Sequence, residues 1–267
     1  APIPALTGTG AGGTSRGMAA YDFTAPRLHV THDLAAGLRL PLERAQANYL
    51  LNVLRRGPDD PVLLFNGRQG EWRATLAATG RKSADLVVAE RTRPQTPLPD
   101  LHYLFAPLKS ARLDYLAQKA VEMGAGQIRP VITRYTQGER VNVERLRANA
   151  VEAAEQCGIL AVPEVAEPER LPVALDAIEP ERLLVFCDED APVSDPVAAL
   201  RAAAGNGEAP PLGVLVGPEG GFAPEERETI AARPNTVALS LGPRILRADT
   251  AAVVVLALVQ AVLGDGR

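Results

Sequence analysis

A proline-rich stretch, Arg93-Pro-Gln-Thr-Pro-Leu-Pro99, separates two segments of different apolar periodicity, and that change of texture limits the fold more than any single motif. Proline fixes φ and removes a backbone donor, so this stretch is a stiff connector. Before it, the chain reads as short strands. Pro61–Phe65 ends at Asn66-Gly67, a hairpin signal, Gly70–Leu76 alternates in period two, and Asp85–Ala89 makes a third strand. Glu43–Leu54 carries apolar residues at helical spacing and stops at Arg55-Arg56-Gly57. Short strands around one helix predict a small β-barrel.

After the prolines, strands and helices alternate. His102–Ala106, Ile128–Thr133, Leu183–Cys187, Leu212–Val216 and Thr236–Ser240 are apolar and β-rich. Helical patterns at Ala111–Met123, Val143–Cys157, Pro224–Arg233 and Thr250–Leu263 separate most of them. Such alternation predicts an α/β fold, a parallel sheet with helices on both faces and ligands beyond the carboxyl ends of its strands. The domains expected are therefore a barrel over 21–92, a linker over 93–99 and the α/β domain over 100–267. Residues 1–20 lack apolar periodicity and a secretory-signal pattern, and are expected to be a disordered N-terminal extension. Within them Gly8-x-Gly10-x-x-Gly13 matches a dinucleotide fingerprint by letter, but no strand precedes it and no helix follows.

Formal net charge is −4 over 267 residues, yet residues 1–138 carry +6 and the remainder −10. That asymmetry suggests a polyanionic partner for the first half. All but three of the 28 basic residues are Arg, which suits bidentate phosphate contacts and equally a GC-rich genome. Two cysteines, Cys157 and Cys187, make neither a disulfide framework nor a Cys-rich metal site, and they point to a reducing compartment. Three scattered histidines, His29, His32 and His102, are too few for a metal cluster, so no metal is expected. The longest apolar run, Ala251–Val259, fits a buried helix rather than a membrane span. A soluble, cytoplasmic protein is expected, with no membrane partner.

Two loops carry the chemistry. Gly217-Pro-Glu-Gly-Gly-Phe222 follows one strand and leads to a helix opening at Pro224. Leu241-Gly-Pro-Arg-Ile-Leu-Arg-Ala-Asp-Thr250 follows another and enters the last helix. Glycine lets a backbone approach a ligand closely, and proline lowers the entropy lost on binding. Ordinary tight turns would also use these residues. Neither loop is a phosphate-binding P-loop, since no Gly-Lys-Ser/Thr follows. Glu225 and Glu226 read as charges complementing a helix N-terminus.

Taken together, Leu215-Val-Gly-Pro-Glu-Gly-Gly-Phe222 and Leu241-Gly-Pro-Arg-Ile-Leu-Arg-Ala-Asp-Thr-Ala251 closely resemble the signature of the bacterial 16S ribosomal RNA uridine-N3 methyltransferases, the RsmE family. Ala117-Gln-Lys-Ala-Val-Glu-Met-Gly-Ala125, Ile128-Arg-Pro-Val-Ile132, Glu152-Ala-Ala-Glu-Gln-Cys-Gly158 and Val162-Pro-Glu164 agree with it. So do Val53-Leu-Arg-Arg-Gly57 and Phe65-Asn-Gly67. The resemblance spans roughly residues 27–263. It implies a SPOUT-type parallel sheet with a C-terminal trefoil knot behind a PUA-like β-barrel, a homodimer, and S-adenosylmethionine as cofactor. Carried over, Val216, Gly217, Glu219, Gly220 and Gly221 would line the cofactor on one side. Leu241, Gly242, Ile245, Leu246 and Ala248 would line it on the other, with Arg247 and Asp249 at the substrate opening. Three positions depart from the family pattern: Asp249 stands where Glu is usual, Ile159-Leu160 where an Arg is common, and Asn48-Tyr49 where His is frequent.

Uracil N3 bears an imide proton and attacks a methyl sulfonium only once that proton leaves, so a base or an anion-stabilising group is required. The catalytic candidates are Asp249, as base or orienting group, and Arg247, as the cation beside anionic uracil. Asp249 also reads as a helix cap, and Arg244 as a solvated loop charge. Arg27, Arg55, Arg56, Arg68 and Arg73 are the candidate RNA contacts, and 16S rRNA in the small subunit is the expected partner. A ribose 2′-O-methyltransferase of the same superfamily and a non-catalytic ribosome-assembly RNA-binding protein are the alternatives.

Overall fold

Alternating apolar residues before the proline stretch assemble into one sheet. Its strands are β1 (Arg27–His29), β2 (Arg39–Pro41), β3 (Pro61–Phe65), β4 (Glu71–Ala78) and β5 (Ala84–Arg93). The structure, a computed structural model, describes residues 24–78, 83–137, 140–192, 195–205 and 209–264, so the extension expected over 1–20 lies outside the described residues. Strand order is β1-β3-β4-β5-β2, with β1 parallel to β3 and the other pairs antiparallel. Register shifts in β4 between Glu71 and Trp72 and between Arg73 and Ala74 bend the sheet, as bulges do. Leu28, Leu40, Val62, Leu64, Leu76 and Leu86 fill its concave face. The result is a half-barrel: β1 and β2 lie at opposite ends of the strand order.

The helix expected over 43–54 is shorter than its apolar pattern. α1 (Arg44–Asn48) runs directly into a π-helical turn, Tyr49–Val53, closed by the Leu54 N–H on the Tyr49 carbonyl at 2.9 Å. Arg55 follows with φ 52°, a left-handed backbone uncommon outside glycine.

The larger segment forms a parallel sheet in the order β12-β10-β11-β6-β7-β8, with β9 pairing β7 further along. The strands are β6 (Leu101–Phe105), β7 (Gln127–Ile132), β8 (Glu164–Val165), β9 (Glu169–Arg170), β10 (Leu183–Cys187), β11 (Leu212–Val216) and β12 (Thr236–Leu239). The spans expected for β10 and β11 coincide with those observed. Alternate residues point to opposite faces, and both faces are covered. Leu183, Val185, Leu212 and Val214 join the core beneath α2 (Ser110–Glu122), α3 (Val143–Cys157), α5 (Pro196–Ala204) and α7 (Ala248–Val262). Leu184, Phe186 and Leu215 join the core beneath α4 (Leu171–Asp176) and α6 (Pro224–Ala231). Sequence periodicity missed α4, α5, β8 and β9. These are short pieces that only tertiary packing stabilises.

The half-barrel is fastened to the α/β segment through buried charge. Glu71, 3% exposed, accepts hydrogen bonds from Arg27 at 3.0 Å, from Arg93 at 2.6 and 3.0 Å and from Thr92 at 2.9 Å. Arg93 also donates to the Gly158 carbonyl at the end of α3 at 2.9 Å. Alongside, the His29 N–H donates to Glu155 at 2.8 Å, Gln95 donates to the Leu160 carbonyl, and Phe65 enters the larger core. Arg27, expected to contact RNA, is thus placed inside the protein with its guanidinium on a carboxylate.

Burial alone would raise the Glu71 pKa, but the hydrogen bonds from Arg93, Thr92 and Arg27 prevail and hold it below the ordinary glutamate value. Glu71→Ala leaves guanidinium groups buried without their carboxylate and is expected to cost about 3–5 kcal/mol in urea unfolding at pH 7. With a depressed pKa, the Glu71 contribution is complete above about pH 4.5 and fades as pH falls through the folded-state value. The variant's stability profile should therefore be flatter than the wild type's in that acid range.

Candidate active site

Because β12, β10 and β11 are neighbours and parallel, the three loops leaving their carboxyl ends converge. They enclose a cleft of about 860 Å³, its open mouth included. Every residue expected to line the cofactor is brought to it: Val216, Gly217, Glu219, Gly220 and Gly221 on one side, Leu241, Gly242, Ile245, Leu246 and Ala248 on the other. Cys187, Asp188 and Glu189 at the end of β10 form the third wall, with Phe222 and Arg227. Sequence reasoning missed that wall. The available signal was that β10 is itself a parallel strand, whose carboxyl end opens on the same crevice.

Local packing explains the glycines. A side chain on Gly217 would begin 2.6 Å from the Phe222 ring, which itself packs edge-on against Phe186 at 5.1 Å. The Gly221 N–H closes a turn on the Pro218 carbonyl at 2.9 Å. Gly242, by contrast, has open space around it and a φ of 105°, so the backbone conformation demands glycine there. Glu226 ties the loop down: its carboxylate accepts the Ala223 N–H at 3.0 Å and the Arg134 N–H at 2.8 Å. This is the capping role its sequence position suggests.

The walls carry several acidic side chains, and two of these carboxylate groups hold cations. Arg227 binds Asp188 at 2.8 Å and also Asp190, while Glu219 meets Arg112 at 3.1 Å. Burial, with the Asp188 charge, pushes the Cys187 thiol up to about 12, so it stays protonated and inert at neutral pH.

Arg247 and Asp249 flank the wall residue Ala248 without lining the cleft. Successive residues on a helix point about 100° apart, and here Ala248 takes the inward direction. Arg247 is exposed and occupies the N-cap position of α7. The cap therefore falls two residues before Asp249, which sits half-buried in the first turn and accepts the Thr250 N–H at 2.9 Å. Beneath it, the fully buried Tyr103 has a hydroxyl without a hydrogen-bond partner. Burial foremost, then the Cys187 and Asp249 charges, raise that phenol well above its ordinary pKa.

Of the arginines in the half-barrel, Arg55 is exposed just past the π-helical turn, and Arg56 is half-buried, donating to the Thr24 carbonyl at 2.9 Å. Arg68 and Arg73 are exposed and meet Asp33 at 2.8 Å and Glu90 at 3.4 Å. Among the described residues, no group of three or more His, Cys, Asp or Glu is placed to hold a metal ion, and no helix is long and apolar enough to cross a membrane.

Residues 94–260 match the RNA methyltransferase domain family and residues 42–89 the RNA methyltransferase PUA domain. The chain is 30% identical over 236 residues to ribosomal RNA small subunit methyltransferase E of Rickettsia conorii, covering 88% of this chain and 94% of that protein. Among solved structures it resembles ribosomal RNA small subunit methyltransferase E of Neisseria gonorrhoeae bound to S-adenosyl methionine. The TM-score is 0.79 at 26% identity, covering 91% of this chain and 100% of that one. It also resembles a putative methyltransferase of Legionella pneumophila in complex with the same cofactor, with a TM-score of 0.77 at 27% identity over 89% and 97% of the two chains.

Gly217→Ala is expected to displace Phe222 and lose about 1–3 kcal/mol of stability by urea unfolding, the usual cost of overpacking. Gly220→Ala, whose new carbon would meet Tyr135 at 3.4 Å, should lose far less.

Proposed function

The chain belongs to the ribosomal RNA small subunit methyltransferase E family, and from that premise we propose that it transfers a methyl group from S-adenosylmethionine to N3 of a uridine in 16S ribosomal RNA. The observation that carries this reading is the convergence of both glycine loops on one cleft at the carboxyl end of a parallel sheet.

The cleft suits that cofactor. Phe222, Leu241 and Ile245 offer apolar surface for an adenine, and glycine backbone leaves room for close approach. Asp188, Glu189 and Glu219 supply negative charge toward a ligand bearing a sulfonium and an ammonium group. When bound, the cofactor supplies an electrophilic methyl group. Arg247 and Asp249 flank Ala248 at the end of the same loop, where Arg247 would stabilise the uracil anion and Asp249 would accept the N3 proton or orient Arg247. Arg55, Arg56, Arg68 and Arg73 would hold RNA phosphates on the half-barrel, with Arg27 fixing the barrel to the catalytic segment.

Two further features complete the reading. We infer a trefoil-knotted carboxyl end, supported by the chain path: β12 lies at the sheet edge beyond β10, while α7 packs back against β11, α2 and α5. We also infer a homodimer, working in the cytoplasm on the small ribosomal subunit. Its support is α7, where Ala257 and Ala261 are exposed and Val254, Leu258 and Val262 are only half-buried, an apolar surface suited to a second copy.

The direct test is methyl transfer to small subunits and to naked 16S rRNA from cells lacking the enzyme, with the product nucleoside identified by mass spectrometry. N3-methyluridine is expected, and a 2′-O-methyl product would overturn the reading. Arg247→Ala should lower kcat at least about tenfold while cofactor affinity by calorimetry stays within a few-fold. Asp249→Asn keeps an oxygen for the Thr250 N–H but cannot take a proton, so folding should survive and turnover should be lost. Sedimentation at micromolar concentration should give a dimer.

A further inference from the structure

A second cleft adjoins the first and shares a wall with it. Pro107, Leu108, Lys109 and Arg112, where β6 passes into α2, form one side, and Gln137, after β7, another. Glu219, which lines the first cleft, closes it. Here the charge pattern reverses. The loop after β10 presents Asp188, Glu189 and Asp190, whereas β6 is followed by Lys109 at the N-cap of α2 and Arg112 in its first turn, and β7 by Arg134 and Arg140. Among the described residues only Arg112 of these four has its side chain on a carboxylate, Glu219 at 3.1 Å, with the two side chains 39% and 42% exposed, whereas Arg134 meets Glu226 through its backbone N–H alone. An ion pair that open to solvent is worth little and exchanges readily for a phosphate.

Tyr135 follows Arg134 in the loop after β7, two residues before Gln137, and packs beside Gly220, the neighbour of Glu219. The residue is 47% exposed, and its β-carbon lies 3.4 Å from where a side chain on Gly220 would begin. An exposed aromatic residue together with solvent-open cations is the combination that binds single-stranded nucleic acid, with the ring stacking a base and the cations following the backbone. The target atom calls for such help, because N3 lies on the Watson–Crick edge and the uridine must be unpaired to react.

We propose that this second cleft receives the acceptor RNA strand: Lys109 and Arg112 bind its phosphates, Tyr135 stacks an unpaired base, and Glu219 separates the strand from the cofactor. The proposal rests on the RNA-methylation reading above and adds a contact surface outside the half-barrel. It also gives the acidic loop after β10 a steering role, since repulsion there directs a polyanion to the β6–β7 side.

Binding of a short fluorescent single-stranded uridine-rich RNA across a sodium chloride series tests it, with methyl transfer to small subunits and cofactor affinity measured in parallel. Lys109→Ala/Arg112→Ala should bind the RNA at least about tenfold more weakly and lower the salt slope by about 1.4, the contribution of two phosphate contacts on a single strand. Lys109→Glu leaves the Arg112–Glu219 pair in place, so it should weaken RNA binding while cofactor affinity by calorimetry is unchanged. Tyr135→Ala should weaken RNA binding about fivefold or more, and Tyr135→Phe should restore it. Wild-type methylation with unaltered RNA affinity and slope in the variants would overturn the cleft assignment alone. Equal losses in Tyr135→Phe and Tyr135→Ala would overturn the stacking role. A wild type that methylates neither subunits nor 16S rRNA would overturn the reading on which the cleft depends.

Discussion

β11, Leu212–Val216, is buried along its whole length between β10 and β6, with α7 packed on one face. Parallel pairing fixes its direction, so Gly217 must emerge at the end of the sheet where Cys187 and Leu239 also emerge. Nothing in the following loop could hold this geometry alone. Glycines supply freedom rather than order, and order comes from the anchored strand behind them and from Phe222, which folds back over Gly217 and seats against Phe186. The cleft is therefore a consequence of strand order.

Electrostatics divides that end of the molecule. The side after β10 is acidic and holds its nearest cation, Arg227, in ion pairs with Asp188 and Asp190. The side after β6 and β7 is basic, and Glu219 lies between the two. A positively charged small ligand and a polyanionic strand would be sorted to adjacent clefts by this arrangement, without competing for the same groups. The overall charge of −4 conceals it completely.

The half-barrel is tied to the catalytic segment by Arg27, Glu71 and Arg93, a buried cluster whose outermost hydrogen bond lands on Gly158 at the end of α3. Buried ion pairs rarely add much stability over an apolar replacement, but they are demanding about geometry. Here that demand fixes the seating of β1 and β5 against α3. Any RNA held by the exposed arginines of the half-barrel is thereby placed at a set position relative to the cleft.

The amino-acid pattern alone set the elements that are long and periodic: β10, β11 and α3 have the spans their apolar patterns predict. It also determined the two glycine loops, because Gly and Pro restrict the backbone locally and can be read residue by residue. Short elements such as α4 and β8 left no periodic trace. The sequence also could not say that Arg27 is buried, since its isolated charge reads the same as that of exposed Arg55. Folding in three dimensions added Asp188, Glu189 and Arg227 to the cleft, set Lys109 and Arg112 across Glu219, and left Arg247 and Asp249 outside the lining that Ala248 joins. The physical reason is the range of the interactions involved. Apolar periodicity and turn chemistry act over a few residues, whereas the order of strands in a parallel sheet is settled by pairing between segments far apart in the chain, and that order decides which loops meet.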